Sequence, residues 1–592
     1  MHRNLIRSVL LAATVAGLGA CSEDSLIVGN PNQGNQDLVL GRPLDAENLL
    51  GTYYRRWHSG VYGSITDIEG MANQISLMNF SSLANNCQNN HTPFLGATFF
   101  NNAGNTCQSE QQRLYYAMSE VDRVVTTVMG RLERPDTAAG VLRLGIYGPS
   151  TPARDNRAKA FGEFLRGLAR GYLALVYDSA SVAAKELATL DPGPLRPYTE
   201  VMDSAYAALA RAIVYANIVP VNLADSGQTF PLPATWIPSP TSFSRVEFIR
   251  LVQSYRARFR ANVARTPAER QAANWALVIA DAQAGFTANH QITASTTTGP
   301  FIGWRAQYAA FSTWHQMPPA IIGMADVSGS YATWIATPLG ARGAGSNSLT
   351  LVTPDLRFPQ GATRALQNAD FGITSCDVSS TPCKRYFVNR AAGSDRNEGP
   401  GFGWSNYDFA RFYSWVRRGS ANSGQNGPTP IFMLAELRLL EAEGHYRLGA
   451  YALAGALVNQ TRTAGMAGTP LVATGGGLPA ITVFDATTPV PGAANCVPKV
   501  PVAPFLTSGT AIACGNLWEA LKYEKRIETA YTHFIPWYLD GRGWGDLPQG
   551  TPTYWAVPFQ DLLARGKGLA DLYGTGPGNV AGSASGLSTY GW

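Results

Sequence analysis

Along most of the chain, apolar residues recur three and four positions apart, the spacing of one helix face. Over 45–58 (DAENLLGTYYRRWH), Leu49, Leu50, Tyr53, Tyr54 and Trp57 fall on such a face behind a cap candidate, Asp45. Stretches 112–134, which stops at Pro135, and 158–177 repeat the pattern. So does 197–215, with Thr199 as cap candidate and Val201, Met202, Tyr206, Leu209 and Ile213 as its stripe. Each stripe must be buried against another element, so antiparallel helix pairs are expected. From Ile431, a helix through Ala435, Leu439, Ala442 and Tyr446 meets a turn at Gly449, and a second follows through Leu453, Ala456 and Leu457. That is a tetratricopeptide-like hairpin. Strand signals are few and short, for instance 348–352 and 385–388. Irregular sequence fills 220–241, and a long aromatic section runs over 299–427. The fold expected is mainly α, with long irregular loops and a few short strands.

The N-terminus departs from this pattern. Arg3 and Arg7 precede an uncharged apolar run over 8–19, and Leu18-Gly19-Ala20-Cys21 closes it. This is the order of a secretory signal. The run is about a dozen residues where a spanning helix needs roughly 20. Leu, small residues and then Cys form the lipobox pattern, so cleavage before Cys21 and lipidation of that cysteine are expected, with a secretory signal carrying an incidental cysteine as the alternative. The stretch after Cys21 is polar and broken by Pro and Gly, too poor in apolar residues to pack. We therefore expect a signal peptide over 1–20, a lipidated tether over 21–40 and one large domain over 41–592.

Composition changes the picture in three respects. With 15% charged, 45% hydrophobic and 10% aromatic residues, the body is globular. A net charge of +5 over 592 residues, without a Lys/Arg run, gives no footprint for nucleic acid. Six cysteines follow Cys21 in an even count, as neighbours, and proximity suggests Cys87 with Cys107, Cys376 with Cys383 and Cys496 with Cys514. None has the spacing of a zinc knuckle, and the seven histidines are scattered, so no metal or cofactor is expected.

Two C-terminal segments carry a family pattern. Leu434-Ala435-Glu436, Glu441-Ala442-Glu443, Gly449 and Asn459-x-x-Arg462 with Ala464-Gly465 resemble an ordered segment of the SusD/RagB family, with Ala464 one residue early. Leu521-Lys522-Tyr523-Glu524-Lys525-Arg526-Ile527-Glu528, then HFIPWYLDGRGWGD over 533–546 and Val557-Pro558, resemble its Glu-Arg helix, its Arg-Trp-Gly turn and its closing Pro motif. Tyr531-Thr532 stands where the family has Glu-Gly. Upstream, Val28-Gly29-Asn30-Pro31-Asn32 and the helix over 158–176, with Arg166 and Tyr172, agree as well.

The resemblance implies a SusD-like helical scaffold over about 41–290 and 428–592 around a loop-rich aromatic insertion over about 291–427. It also implies a surface-exposed outer-membrane lipoprotein that binds a nutrient, usually a glycan or oligosaccharide, and serves a SusC-type TonB-dependent transporter. Sugar rings stack on planar aromatics and their hydroxyls pair with amides and charged groups, so aromatic loops are the place to look. The candidates are Phe94, Phe99 and Asn101 beside Cys107, and Trp304, Tyr308, Trp314 and Trp334. Trp404, Tyr407, Tyr413 and Trp415 form a third cluster. Core packing is the competing reading for each aromatic.

The motif residues themselves read as structural. Lys525 and Glu528 are expected on a helix surface, contributing a few tenths of a kcal/mol. Glu524, Arg526 and Glu528 could instead reach loops packed on that helix. Trp537, Tyr538 and Trp544 are expected to pack in a turn. A glycoside hydrolase with paired carboxylates and a helical protein-interaction scaffold are the alternatives to a binding protein. No Gly-x-Ser-x-Gly, Walker or His-Glu-x-x-His motif supports an enzyme.

Overall fold

The computed structural model describes residues 40, 43–62, 68–81, 101–105, 107–133, 135–136, 143–144, 152–184, 193–218, 230–239, 243–294, 315–337, 349–371, 384–391, 405–411, 427–465, 475–502, 511–548 and 551–567. By its contacts the chain divides after Glu47, and all packing described here lies within Asn48–Trp592.

The described helices are α1 (Pro43–Tyr62), α2 (Ile68–Ile75), α3 (Gln108–Glu133), α4 (Pro152–Val176), α5 (Tyr198–Asn217), α6 (Arg245–Asn262), α7 (Pro267–Gln271) and α8 (Trp275–Gln283). They continue as α9 (Pro319–Ile322), α10 (Ser330–Ala336), α11 (Arg364–Phe371), α12 (Leu434–Arg447), α13 (Tyr451–Arg462), α14 (Leu517–Thr529), α15 (Pro536–Trp544) and α16 (Phe559–Ala564). The protein is mainly α. No described helix is long and apolar enough to cross a membrane.

Local chemistry sets many of the boundaries. Ser244, Thr266 and Asn516 each accept from the backbone N–H of a Glu three residues on, Glu247, Glu269 and Glu519, at 3.2, 3.2 and 3.1 Å. Thr199 is not a cap: α5 begins at Tyr198, and a backbone bond from Tyr198 N–H to Asp178 O at 3.0 Å does that work. Buried arginines close other helices at their carbonyl ends. Arg265 donates to Ala174 O and Tyr177 O behind α4, and Arg270 and Arg542 donate to Ala261 O and Asn262 O of α6. Cations there also meet the negative end of the helix dipole.

The scaffold is a procession of neighbours. α4 packs on α3 and α5, α5 on α6, α6 on α8, α8 on α12, and α12 on α13 and α14. At the α4–α6 crossing a Cβ on Gly171 would lie 2.2 Å from the Phe259 ring, so only glycine lets the helices approach this closely. Between α12 and α13, Gly449 turns with φ +78.

The strands form two-stranded ladders: β1 (Phe80–Ser81) with β7 (His315–Gln316), β2 (Pro135–Asp136) with β3 (Arg143–Leu144), and β4 (Ser179–Ser181) with β5 (Leu195–Pro197). The others pair β6 (His290–Ala294) with β10 (Gly427–Phe432), β8 (Phe387–Asn389) with β9 (Tyr407–Phe409), and β11 (Lys499–Pro501) with β12 (Ile512–Cys514). The antiparallel β6–β10 ladder, with Gly427 opposite Ala294, closes the base of the long aromatic section. Beyond it, Ile321, Tyr331, Trp334, Phe358, Phe387 and Phe409 share one core with Tyr523, Ile527, Tyr531 and Trp537 of the C-terminal region.

Of the strand expected at 348–352, the described residues 349–352 form none. Their backbone is spent elsewhere: Leu351 N–H donates to the Tyr407 hydroxyl at 2.8 Å and Val352 N–H to Asp326 Oδ1 at 3.0 Å, which takes these two donors from any ladder. The strand expected at 385–388 forms in part, as β8 over Phe387–Asn389, and 533–546 holds a helix, α15, rather than a turn.

Candidate functional site

From Ala520 onward, the C-terminal motif helix α14 is buried on every side. Lys525 is 1% and Glu528 0% exposed, which corrects the expectation that they form a surface pair. They also do not meet each other. Lys525 binds Asp540 at 2.8 Å, and Glu528 binds Arg357 at 3.1 Å and Arg411 at 3.2 Å. Glu524 takes Arg357 at 2.7 Å, so the motif carboxylates do reach a loop packed on the helix. Asp355 on that loop completes the cluster, bonded to Arg357 at 2.7 Å and to the Tyr523 hydroxyl at 2.6 Å.

Two further ion-pair hubs hold the hairpin. Arg258 makes a two-pronged pair with Glu436, both bonds at 2.7 Å. Arg270 does the same with Glu443, at 2.9 and 2.7 Å, and also reaches Asp540 at 3.0 Å. Burial alone would raise the Glu443 carboxyl, but Arg270, Lys525 and Arg447 hold it down at about 2. Trp544 adds a donor to the same carboxylate, its Nε1 donating at 3.0 Å. Trp537, Tyr538 and Trp544 are buried, as packing residues should be. These carboxylates are locked to guanidinium or ammonium groups away from solvent, an arrangement for structure rather than for proton transfer to a substrate.

The place where the flagged aromatic segments leave the scaffold has a different character. β1 leads into 82–100, and β7 follows 301–314; the two strands pair, Phe80 opposite Gln316 and Ser81 opposite His315. Gln316 Nε2 donates to Ser405 O at 2.9 Å, and Met317 N–H to Tyr407 O at 2.9 Å, which brings the root of the third aromatic cluster to the same ladder. Below it, on α2 and the turn after it, Asn73, Gln74 and Asn79 are buried at 1, 0 and 0% exposure, and both side-chain polar atoms of each lack a hydrogen-bond partner. Buried carboxamides are normally bonded. Sequence reasoning missed them. The available signal was three carboxamides in one short stretch, NQISLMN over 73–79, of an otherwise apolar segment.

Of the predicted ligand residues, Phe94, Phe99, Trp304, Tyr308 and Trp314 lie outside the described residues, as do Trp404, Tyr413 and Trp415. Asn101 is buried, donating to Val557 O at 2.8 Å and accepting from Phe559 N–H at 2.9 Å, which ties the end of its segment to the start of α16. Trp334 lies on α10 in the shared core, stacked on Tyr331 at 6.1 Å between centroids. Tyr407 is buried, and its hydroxyl accepts from Leu351 and from Asn389 Nδ2 and donates to Gln367. Cys496 and Cys514 are bonded, with Cα atoms 5.7 Å apart. Cys107 is also in a disulfide, while Cys21, Cys87, Cys376 and Cys383 lie outside the described residues. Among the described residues, no group of three His, Cys, Asp or Glu could hold a metal ion.

No family model and no curated protein sequence matches the chain. Solved structures do. A SusD homolog from Parabacteroides distasonis is 13% identical, with 91% of this chain and 99% of that one covered at a TM-score of 0.49. A SusD superfamily protein from Bacteroides vulgatus is also 13% identical, covering 86 and 89% at 0.47. A chitin-binding SusD homolog from Flavobacterium johnsoniae is 10% identical, covering 86 and 88% at 0.43.

Proposed function

We propose that this chain is an exported, lipid-anchored binding protein that captures a glycan or oligosaccharide at the cell surface and hands it to a SusC-type TonB-dependent outer-membrane transporter, without turning it over. The observation that carries the reading is the common root of the three aromatic segments at β1, β7 and Ser405, above the unpartnered amides of Asn73, Gln74 and Asn79. Planar aromatics and free amide donors and acceptors are the two groups a sugar needs, one for its C–H faces and one for its hydroxyls. The motif order along the sequence supports the same reading, and the Cys21 signal supports the anchor.

The test is calorimetric titration of the purified mature protein against a glycan panel, with a reducing-end assay run beside it. Saturable binding of at least one glycan with no release of new reducing ends is expected, and hydrolysis above the buffer rate would overturn the reading. Pull-down through this chain from detergent-solubilised outer membrane should recover a TonB-dependent barrel. Its repeated absence would leave a stand-alone binder.

A further inference from the structure

Where α1, α4 and α6 meet, the core holds a knot of polar tips. The Trp57 ring stands 5.1 Å from Tyr54, 5.9 Å from Tyr62, 5.7 Å from Tyr172 and 6.1 Å from Tyr255. The hydroxyls of the four tyrosines interact with one another: Tyr54 with Tyr62 and Tyr172, Tyr172 with Tyr62 and Tyr255, and Tyr255 with Tyr62 and Tyr54. The Arg258 guanidinium joins them, 5.2 Å from the Tyr255 ring centre.

The hydrogen-bond inventory of this knot does not close on protein atoms. Trp57 Nε1, Tyr255 Oη and Arg258 Nη1 are all buried without a partner. An indole N–H and a guanidinium N–H can only donate, so both need an acceptor. The obvious one is taken, since the two Glu436 oxygens already receive Arg258 Nε and Nη2. An anion could accept from them, but Glu436 has cancelled the Arg258 charge, and a further negative charge would be buried uncompensated. Water fits both demands: it accepts from Trp57 and Arg258 and donates to a phenol oxygen, and buried waters typically make about three such bonds.

We propose that the crossing of α1, α4 and α6 encloses a built site for ordered water, shared by Trp57 of α1 and by Tyr255 and Arg258 of α6, which joins α1 to α6 through hydrogen bonds that these side chains cannot make directly. The site lies in the scaffold and is independent of the glycan reading above. A crystal structure of the unaltered protein that resolves ordered solvent, with a second crystal soaked in bromide, tests it. Water is expected within hydrogen-bond distance of Tyr255 Oη and of Trp57 Nε1 or Arg258 Nη1, with no bromide peak there. A dry knot whose donors have turned to protein acceptors would overturn the proposal, and so would bromide in place of water. In solution, water-oxygen relaxation should count fewer long-lived waters in folded Tyr255→Phe than in the parent, and an equal count would also overturn it.

Discussion

Glu443 shows how much hangs on single buried charges. Its carboxylate serves Arg270, Lys525 and Trp544 at once with no exposure to water. Removing one member of a buried pair leaves the other uncompensated, so Arg270→Met should lower unfolding free energy by roughly 3–5 kcal/mol, read from denaturant midpoints; a loss under about 1 kcal/mol would mean that the cluster relaxes freely. His290 makes the complementary case. Stacked on Phe286 and buried beside Arg258, it is held neutral by burial and then by Arg258, down to about 3. The unfolded chain takes up that proton below about 6.5, so stability is complete above this value and declines as pH falls toward 3, by about 2 kcal/mol between pH 7.5 and pH 5. In His290→Leu that decline should vanish, leaving the fall toward about 2 that Glu443 contributes at more acid pH. Trp334→Ala should cost about 3–5 kcal/mol as a cavity in the shared core. By contrast Trp304→Ala and Trp314→Ala, if those residues bind ligand, should weaken glycan binding with melting temperature nearly unchanged. None of the ion-pair partners was legible in the sequence: Lys525 and Glu528 stand at an ordinary helix-surface spacing, and only the fold brings Asp540, Arg357 and Arg411 to them.

At the scale of the element, legibility followed the strength of local signals. The hairpin of α12 and α13 was readable because small residues, apolar spacing and Gly449 agreed. α6 and α8 were missed although Ser244-x-x-Glu247 and Asn274 mark their starts, because α6 carries five arginines within its apolar spacing and its stripe is obscured. Over 349–352, the described part of the strand expected at 348–352, none forms for the opposite reason, since Leu351 and Val352 bond to side chains remote in sequence. Gly171 is an element-scale device, and Gly171→Ala should destabilise by roughly 1–3 kcal/mol as α4 and Phe259 are forced apart. Thermal melts would check this, and an unchanged midpoint would show that Phe259 can swing clear. The Cys496–Cys514 bridge spans the β11–β12 hairpin; replacing both cysteines with Ser should cost about 3 kcal/mol, with model-dependent spread.

Across the whole molecule, the long aromatic section is fixed at two levels. The β6–β10 ladder closes its base, and the Arg357–Glu524–Glu528–Arg411 cluster fastens it to α14. Arg357→Met should therefore loosen the section more than the helices. Limited proteolysis should cut first between 295 and 426, and uniform resistance would place the weak point elsewhere. A test of the proposed function belongs to this scale as well: if the chain is a lipid-anchored binder serving a transporter, Cys21→Ala should leave glycan binding in solution intact and abolish uptake, because tethering would keep the effective concentration beside the transporter high. Normal uptake by that variant would detach the lipid from the mechanism.

The shared core also bears on how such a chain could be altered. Phe358, Phe387 and Phe409 interlock with Tyr523, Tyr531 and Trp537, so the aromatic section cannot be exchanged between relatives as a cassette without tearing the scaffold open. Under the proposed function, a new ligand preference has to be written into the segments 82–100 and 301–314 that β1 and β7 bound in sequence, with the Phe80–Gln316 rung kept as it is. An engineer would splice there.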